Sequence, residues 1–238
     1  MGKVLRQPKL WITLASLIFI AVALAQQAGQ LRQLSLVANG WWWLVLGLGL
    51  TWLSILINGV AWRDLLVWLK HPPQGLAVVP LFVRSNLLKY LPGGIWHLVE
   101  RVRVLRPAIG GGPALAGVIL DPLLIVAASV LVVVAGGWQQ GLALLAPWPA
   151  LLMMSRWREP LLRRLERSKA AQLQSLGSGA LESEGSGRGG YPWRPLSLQL
   201  LFVLCRFAGF WCSVQAFGIQ SPAPFTWLAA FGLAYAVG

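Results

Sequence analysis

The chain is poor in charged residues. Of its 238 residues, 11% are charged and 57% are hydrophobic, whereas an average soluble domain has about 25% charged residues. Its mean hydropathy is +0.65. A soluble domain of this length does not have enough interior to bury so many apolar side chains, but a lipid bilayer removes that need. The composition therefore excludes a soluble enzyme and predicts an all-α, polytopic bundle of transmembrane helices.

The motifs of common catalytic and metal sites are also missing. The sequence has no Gly-x-Ser-x-Gly, no P-loop and no HExxH. A literal G-x-G-x-x-G at Gly185, Gly187 and Gly190 lies in a Gly/Ser-rich stretch, so it indicates a linker. Cys205 and Cys212, seven apart in one apolar run, are typical of small buried hydrophobic residues. We therefore expect no catalytic residue, no cofactor and no metal.

Acidic residues are scarce, with seven against 20 Lys and Arg, which leaves a net charge of +13. The basic residues form short clusters between apolar runs, without a basic helix or interleaved aromatic residues. That pattern argues against a nucleic-acid partner. Clusters beside apolar runs instead favour a lipid surface. We expect membrane lipids, above all anionic phospholipids, as partners, and the sequence leaves the oligomeric state open.

Several apolar runs approach the roughly 20 residues that a membrane helix needs. The predicted spans cover residues 10–28, 41–62, 113–135, 138–154 and 196–218, and an incomplete one covers 225–238. With a re-entrant segment at 76–100 and a flexible cytoplasmic loop at 155–195, they form a single integral membrane domain over 1–238. The first span is alternatively a cleaved signal peptide, because Ala23-Leu24-Ala25 fits a small-x-small cleavage site.

The segment 76–100 is too polar and too broken for a plain span. Arg84 and Lys89 interrupt its apolar character, and Pro80 and the turn Pro92-Gly93-Gly94 interrupt helix. Backbone of this kind is tolerated at membrane depth only where protein or water shields it. The pattern predicts a pair of re-entrant or half-membrane helices.

The positions of Lys and Arg orient the predicted spans. With the N-terminus in the cytoplasm and the segment 71–100 re-entrant, the cytoplasmic segments contain 16 of the 20 Lys and Arg, and the outer segments contain only Arg32. The positive-inside rule predicts such an asymmetry, which also favours keeping the first span. We expect a multi-pass protein of a bacterial-type cytoplasmic membrane.

Ionisable residues inside the apolar segments are the first candidates for function. Insertion scales assign a central Asp, Lys or Arg a cost of about 2.5–3.5 kcal/mol. Asp121 and Arg206 are predicted to shape an intramembrane polar cavity that holds an anionic group, near Arg84 and Lys89. The alternatives are a buried ion pair, such as Asp121 with Arg206, that fixes helix packing, and snorkelling of Lys89 to the interface.

A second group of candidates surrounds the predicted turn. Asn86 and Lys89 are three apart, and His97 and Arg101 are four apart, so each pair shares a helix face. A helix that begins after Pro92-Gly93-Gly94 leaves backbone N–H groups free for an anion. The candidate lipid-headgroup residues are Arg84, Asn86, Lys89, His97 and Arg101. Alternatively, this is a cytoplasmic-edge turn with a solvated basic face. His97 has no second ligand at metal-binding spacing.

The run from Ser85 to His97, followed by Arg101 and Arg103, resembles the signature of the lysylphosphatidylglycerol synthase transmembrane-region family, also called flippase-like-domain proteins. Members have a Lys-Tyr-Leu-Pro-Gly-x-Ile-Trp-like run, an Arg shortly after it, and then an apolar span with an acidic residue, the place of Asp121 here. The rest of the chain resembles the family mainly in hydropathy and order. The resemblance implies a polytopic helical fold and the lipid-translocating part of such proteins, without the soluble aminoacyl-transferase domain.

In that family a Pro-Gly-Gly-x-Gly-x-x-Glu-like motif and further spans follow, whereas this sequence stops at Gly232–Gly238. We therefore expect a C-terminally truncated member. The leading hypothesis is a lipid translocase, driven by a gradient or merely facilitating movement, because an ATP motif is missing. Two alternatives are a non-catalytic accessory or regulatory protein and a membrane-embedded lipid-modifying transferase. For the transferase, only His97, Glu100 and Asp121 offer a general acid or base.

The predicted orientation can be tested by labelling single cysteines in cells. In a chain whose two native cysteines are replaced by alanine, we expect Arg32→Cys to react with a membrane-impermeant maleimide in intact cells. Arg158→Cys lies in the predicted cytoplasmic loop and should react only after permeabilisation. The cysteine-free chain is the control, and labelling with the two positions reversed would contradict the orientation.

Overall fold

The computed structural model describes residues 35–90, 95–137, 190–219 and 223–237, with a few isolated positions at 21–22, 25–26, 29, 141 and 144. Within these ranges the regular elements are all helical. The α-helices with defined bounds are α1 (Gly40–Trp68), α2 (Val78–Asn86), α3 (Trp96–Ile109), α4 (Gly111–Gly137), α5 (Trp193–Ala216) and α6 (Pro224–Val237), and a 3-10 turn at Leu87–Tyr90 follows α2. The predicted all-α class is confirmed for this part of the chain.

Three of these helices are long and apolar enough to cross a membrane. They are α1, α4 and α5, with 29, 27 and 24 residues, and at about 1.5 Å per residue each exceeds the roughly 30 Å hydrocarbon core of a bilayer. They match the predicted spans 41–62, 113–135 and 196–218, and α1 continues to Trp68. The helix α6, with 14 residues, is shorter than a full span.

Other predicted segments are covered only in part. The spans 10–28 and 138–154 lie outside the described residues, apart from isolated positions, as does most of the loop 155–195. The end of that loop is helical, because α5 begins at Trp193 after Pro192. Pro195 is compatible with this start, since its missing N–H falls in the first turn, where no partner exists. The segment 76–100 contains α2, the 3-10 turn and the beginning of α3, and its depth in a membrane stays a prediction.

The antiparallel helices α1 and α5 pack closely because small residues face each other. A Cβ atom added at Gly47 would lie 2.9 Å from the carbonyl oxygen of Gly209, and one added at Gly40 would lie 2.7 Å from that of Ala216. The contacts repeat every seven residues along both helices. Small residues permit such close approach in membrane helix pairs, where packing replaces the hydrophobic effect as the driving force.

The helix α4 lies in the centre of the described bundle. All residues from Gly112 to Asp121 are buried, because α1, α3, α5 and α6 pack around this helix. A Cβ atom at Gly117 would lie 2.6 Å from Leu66 of α1. This half of α4 is therefore enclosed by protein, and a polar side chain on it does not have to face lipid.

The α2–α3 segment, residues 78–109, packs against α1 and α4 through its apolar side chains. Phe82 of α2 is fully buried, with its ring centroid 5.6 Å from that of Trp62 on α1. Val102 and Leu105 of α3 are also fully buried. This packing holds α2 and α3 against the bundle and brings their polar residues toward the centre of α4.

The close contact of α1 with α5 gives a matched pair of glycine substitutions. We expect Gly47→Val to destabilise the protein by about 1–3 kcal/mol, the usual cost of overpacking, because its side chain would meet the backbone of Gly209 and the Cβ atom of Cys212. Unfolding in sodium dodecyl sulphate, followed by tryptophan fluorescence, measures the change. Gly49→Val is the control on the same helix, since no atom lies within 4 Å of its added Cβ. Equal destabilisation by both substitutions would contradict the packing.

Candidate functional site

Arg101 of α3 is buried, with 1% of its surface exposed. Its Nε donates to Ser85 Oγ at 2.9 Å, and its Nη2 donates to Asn86 Oδ1 at 3.0 Å. The guanidinium carbon lies 3.9 Å from the ring centroid of Phe82 and 5.0 Å from that of Trp62. Two residues at the end of α2 therefore accept hydrogen bonds from the guanidinium, which also makes cation–π contacts with two aromatic rings.

Asp121 of α4 is the counter-ion of Arg101. Its Oδ2 accepts a hydrogen bond from Arg101 Nη1 at 3.2 Å, and its Oδ1 accepts one from Gln199 Nε2 of α5 at 2.8 Å. The same Gln199 nitrogen donates to Asn58 Oδ1 of α1 at 3.0 Å. The carboxylate, with 3% of the residue exposed, thus has a partner for each oxygen.

These contacts form one polar network shared by five helices. Its members are Asn58, Ser85, Asn86, Arg101, Asp121 and Gln199. A buried ion pair is tolerated when further hydrogen bonds satisfy its remaining donors and acceptors, and the network supplies them. One acceptor is an exception: Gln199 Oε1 is buried and has no hydrogen-bond partner among the described residues.

Two further positive charges, those of Lys89 and Arg206, lie near the network. Lys89 in the 3-10 turn is exposed and Arg206 of α5 is half-buried. Enough protein surrounds Lys89 to lower its pKa, with desolvation as the largest cause; Arg101 and Arg206 lower the pKa further, and Asp121 opposes them. Burial likewise lowers the pKa of Arg101, while Asp121 opposes that shift. Arg101 and Arg206 therefore both act on Lys89, and Arg101 and Lys89 act on Asp121.

The structure brings together part of the predicted site. Asn86, Arg101 and Asp121 belong to the polar network, and Lys89 and Arg206 carry charges that act on each other. The alternative of a buried ion pair named Arg206 as the partner of Asp121. That partner is wrong, because the salt bridge of Asp121 is with Arg101. That pairing arises because α3 packs directly on α4.

The other candidates contribute less to the network. Arg84 is exposed on α2, and His97 is half-buried in the first turn of α3. Pro92, Gly93 and Gly94 lie outside the described residues, so the predicted anion-binding turn is not described. Within the described ranges, there is no group of three or more His, Cys, Asp and Glu side chains that could hold a metal ion.

Two network residues were missed by the sequence reasoning, Asn58 and Gln199. Each is an amide inside a long apolar run, which is a signal of an inward-facing, hydrogen-bonded side chain. A search for charged residues alone overlooks such positions, because burying an uncharged amide in a membrane costs less free energy than burying a charge. Ser85 is the first residue of the run that resembles the family signature. Its role as hydrogen-bond acceptor for Arg101 depends on how the α2–α3 segment folds.

Comparison with known proteins gave no relative for this chain. No protein-family model, no curated protein and no solved structure matches it. Membership of the flippase-like-domain family is therefore a proposal.

A double-mutant cycle tests the Arg101–Asp121 contact. We expect Arg101→Met and Asp121→Leu each to destabilise the protein by about 3–5 kcal/mol, because each leaves a buried charge without its partner. The double variant should be more stable than the sum of the two single effects predicts, since it buries no charge. Unfolding in sodium dodecyl sulphate measures all four proteins. Strictly additive effects would show that the two side chains do not interact.

Proposed function

We propose that the chain binds the anionic headgroup of a membrane lipid beside the polar network and moves that lipid across a bacterial-type cytoplasmic membrane. The observation that carries this proposal is the excess of positive charge at one place. Arg101 and Arg206 both act electrostatically on Lys89, and Asp121 is the one carboxylate among the charges that act on it. An anion placed there would relieve the mutual repulsion of the cations.

The three cations have different parts in this proposal. Arg101 is occupied by Ser85, Asn86 and Asp121, so it sets the local potential and holds the α2–α3 segment in place. Lys89 and Arg206 form no salt bridge with any described residue. They are therefore the residues we assign to the phosphate of the headgroup, with Asn86 at the edge of the network. We assign Arg84 and His97 to the path by which the headgroup reaches Lys89 and Arg206.

The surrounding helices support a lipid rather than a soluble ligand. The helices α1, α4 and α5 are long and apolar enough to span a bilayer, so an anion that reaches this site arrives most simply with its acyl chains in the membrane. The resemblance of the Ser85–His97 run to the flippase-like-domain family supports the same substrate class. Movement across the membrane follows from that resemblance, and the charges support binding.

A lipid-modifying transferase is less well supported by the geometry. It requires a general acid or base that is free to exchange a proton with substrate. Both oxygens of the buried Asp121 are occupied, by Arg101 and by Gln199, so neither is free to contact a substrate, and Glu100 is paired with Arg103 at 2.9 Å. An accessory or regulatory protein would bind lipid without moving it across the membrane. Measuring lipid binding and lipid movement separately distinguishes it from a translocase.

Charge removal at Lys89 and at Arg206 tests the site. In proteoliposomes containing a fluorescent anionic phospholipid, we expect Lys89→Ala and Arg206→Ala each to reduce lipid movement and binding about tenfold or more, because each removes a charge-assisted contact of about 1.5–3 kcal/mol. A zwitterionic fluorescent lipid should be moved less well by the unaltered protein and should respond less to the variants.

The matched control is Arg63→Ala, which removes an exposed cation from α1 and should leave lipid movement unchanged. Circular dichroism and gel filtration verify that each variant is folded. Unchanged movement in folded Lys89→Ala and Arg206→Ala would contradict the site. Binding without any movement in the unaltered protein would favour the accessory role.

A further inference from the structure

The polar network divides into two halves that belong to different parts of the fold. Ser85, Asn86 and Arg101 lie on the α2–α3 segment and are bonded to one another. Asp121, Gln199 and Asn58 lie on α4, α5 and α1 and are likewise bonded to one another. The hydrogen bond that joins the halves runs from Arg101 Nη1 to Asp121 Oδ2 and, at 3.2 Å, is the longest in the network. Each half keeps its internal hydrogen bonds when that contact opens.

The half that contains Asp121 has an unused acceptor. Gln199 is fully buried, its Nε2 serves both Asp121 and Asn58, and its Oε1 has no partner among the described residues. A half-turn of the Gln199 amide exchanges its oxygen and nitrogen. A protonated Asp121 can then donate to Gln199 Oε1 across the present 2.8 Å contact, while Asn58 turns its amide in the same way. One buried Gln199 atom lacks a partner among the described residues in either arrangement, Oε1 now and Nε2 after the turn, so this half of the network can hold a neutral Asp121 with no more unpartnered atoms than a charged one.

The half that contains Arg101 cannot lose its charge in the same way, because a guanidinium is not deprotonated in proteins. A neutral Asp121 would leave this cation buried and without a counter-ion, which is strongly unfavourable. An anion that reaches the guanidinium would restore the balance. The Arg101–Asn86 hydrogen bond is only partly buried, and the exposed Lys89 lies in the 3-10 turn that follows Asn86, so the anion has an approach there.

We propose that Asp121 is a proton-binding site, and that uptake of one proton there accompanies entry of an anionic headgroup beside Arg101. The inference rests on the proposed lipid site and adds its regulation. The proton comes from water and binds a carboxylate oxygen of Asp121; Arg101 keeps its charge and exchanges Asp121 for the lipid phosphate. By thermodynamic linkage, the proton and the anion then increase each other's affinity.

The other charged groups near Asp121 do not take over this role. Those that act on it are Arg101 and Lys89, both cationic. The helices packed against α4 carry other ionisable groups. Two acidic ones are paired with arginines, Asp64 with Arg194 and Glu100 with Arg103. The remaining groups are the exposed Arg63 and Arg84, His97 and Arg106 on α3, Arg206 on α5, and Tyr235 on α6, which stacks on Phe231. Asp121 is therefore the one acidic group that we place in the buried network.

The experiment measures anion binding and proton uptake together. The purified full chain in detergent micelles is titrated with fluorescent phosphatidylmethanol, a phosphodiester that stays singly charged from about pH 5 to about pH 9. We expect its Kd to rise by as much as about tenfold per pH unit as Asp121 loses its proton, the limit for one linked proton. A pH indicator in weak buffer should report uptake of up to about one proton per bound lipid.

Two variants identify the group that takes up the proton. Asp121→Asn imitates the neutral acid, so its affinity should match or exceed the highest wild-type affinity, should not depend on pH, and should involve no proton uptake. Glu100→Gln, which removes a carboxylate paired outside the network, should keep the wild-type pH dependence. If Asp121→Asn fails to fold, the wild-type chain still tests the inference, because binding of the anionic lipid without proton uptake would overturn it.

The possible failures are distinguishable. Binding of the anionic lipid with no pH dependence and no proton uptake would overturn the inference and leave the proposed function intact. A pH dependence that persists in folded Asp121→Asn would assign it to another group, such as Lys89, and would also overturn the inference. If the wild-type chain binds no anionic lipid at any pH, the proposed function itself is wrong.

Discussion

The contact between Arg101 and Asp121 constrains the arrangement of most of the described helices. Two buried charges can be kept in a protein interior only when they are close and when their other donors and acceptors are satisfied. Asp121 therefore requires α5 to present Gln199 and α3 to present Arg101. Arg101 in turn requires the end of α2, which supplies Ser85 and Asn86. The positions of five helices thus follow from one ion pair and its hydrogen bonds.

The enclosure of α4 explains how such a polar centre is compatible with a membrane. An aspartate that faced lipid would have no partner for its charge, but every residue of α4 from Gly112 to Asp121 is buried. The lipid-facing role falls to α1, whose exposed side chains include Trp41, Trp42, Val45 and Leu48. A bilayer favours an apolar surface on the outside of the helix bundle. It also requires that polar groups inside the bundle be hydrogen-bonded to one another. Lys89 and Arg206 then add positive charge near this centre.

The sequence predicted much of the candidate site, but not how its residues pair. Arg101 and Asp121 stand out because each carries a charge in or beside an apolar segment, and Asn86 was found from its spacing to Lys89. The alternative pairing of Asp121 with Arg206 failed, since hydropathy does not show which helices are neighbours. Asn58 and Gln199 are 141 positions apart, and only the packing of α1 against α5 reveals that their amides meet. Arg84 was selected for its charge alone, and it is exposed.

By itself, the sequence determined the helical class, the three long apolar helices and the sparse set of polar residues within them. Local composition is enough for these, because a helix of about 20 apolar residues satisfies its own backbone in lipid. The tertiary structure decided that Arg101 neutralises Asp121, that Gln199 Oε1 has no donor among the described residues, and that Lys89 and Arg206 form no salt bridge with any of them. Those features depend on distances between residues far apart in the chain. Such distances are set by close packing at contacts such as Gly47 with Gly209, which no local pattern specifies.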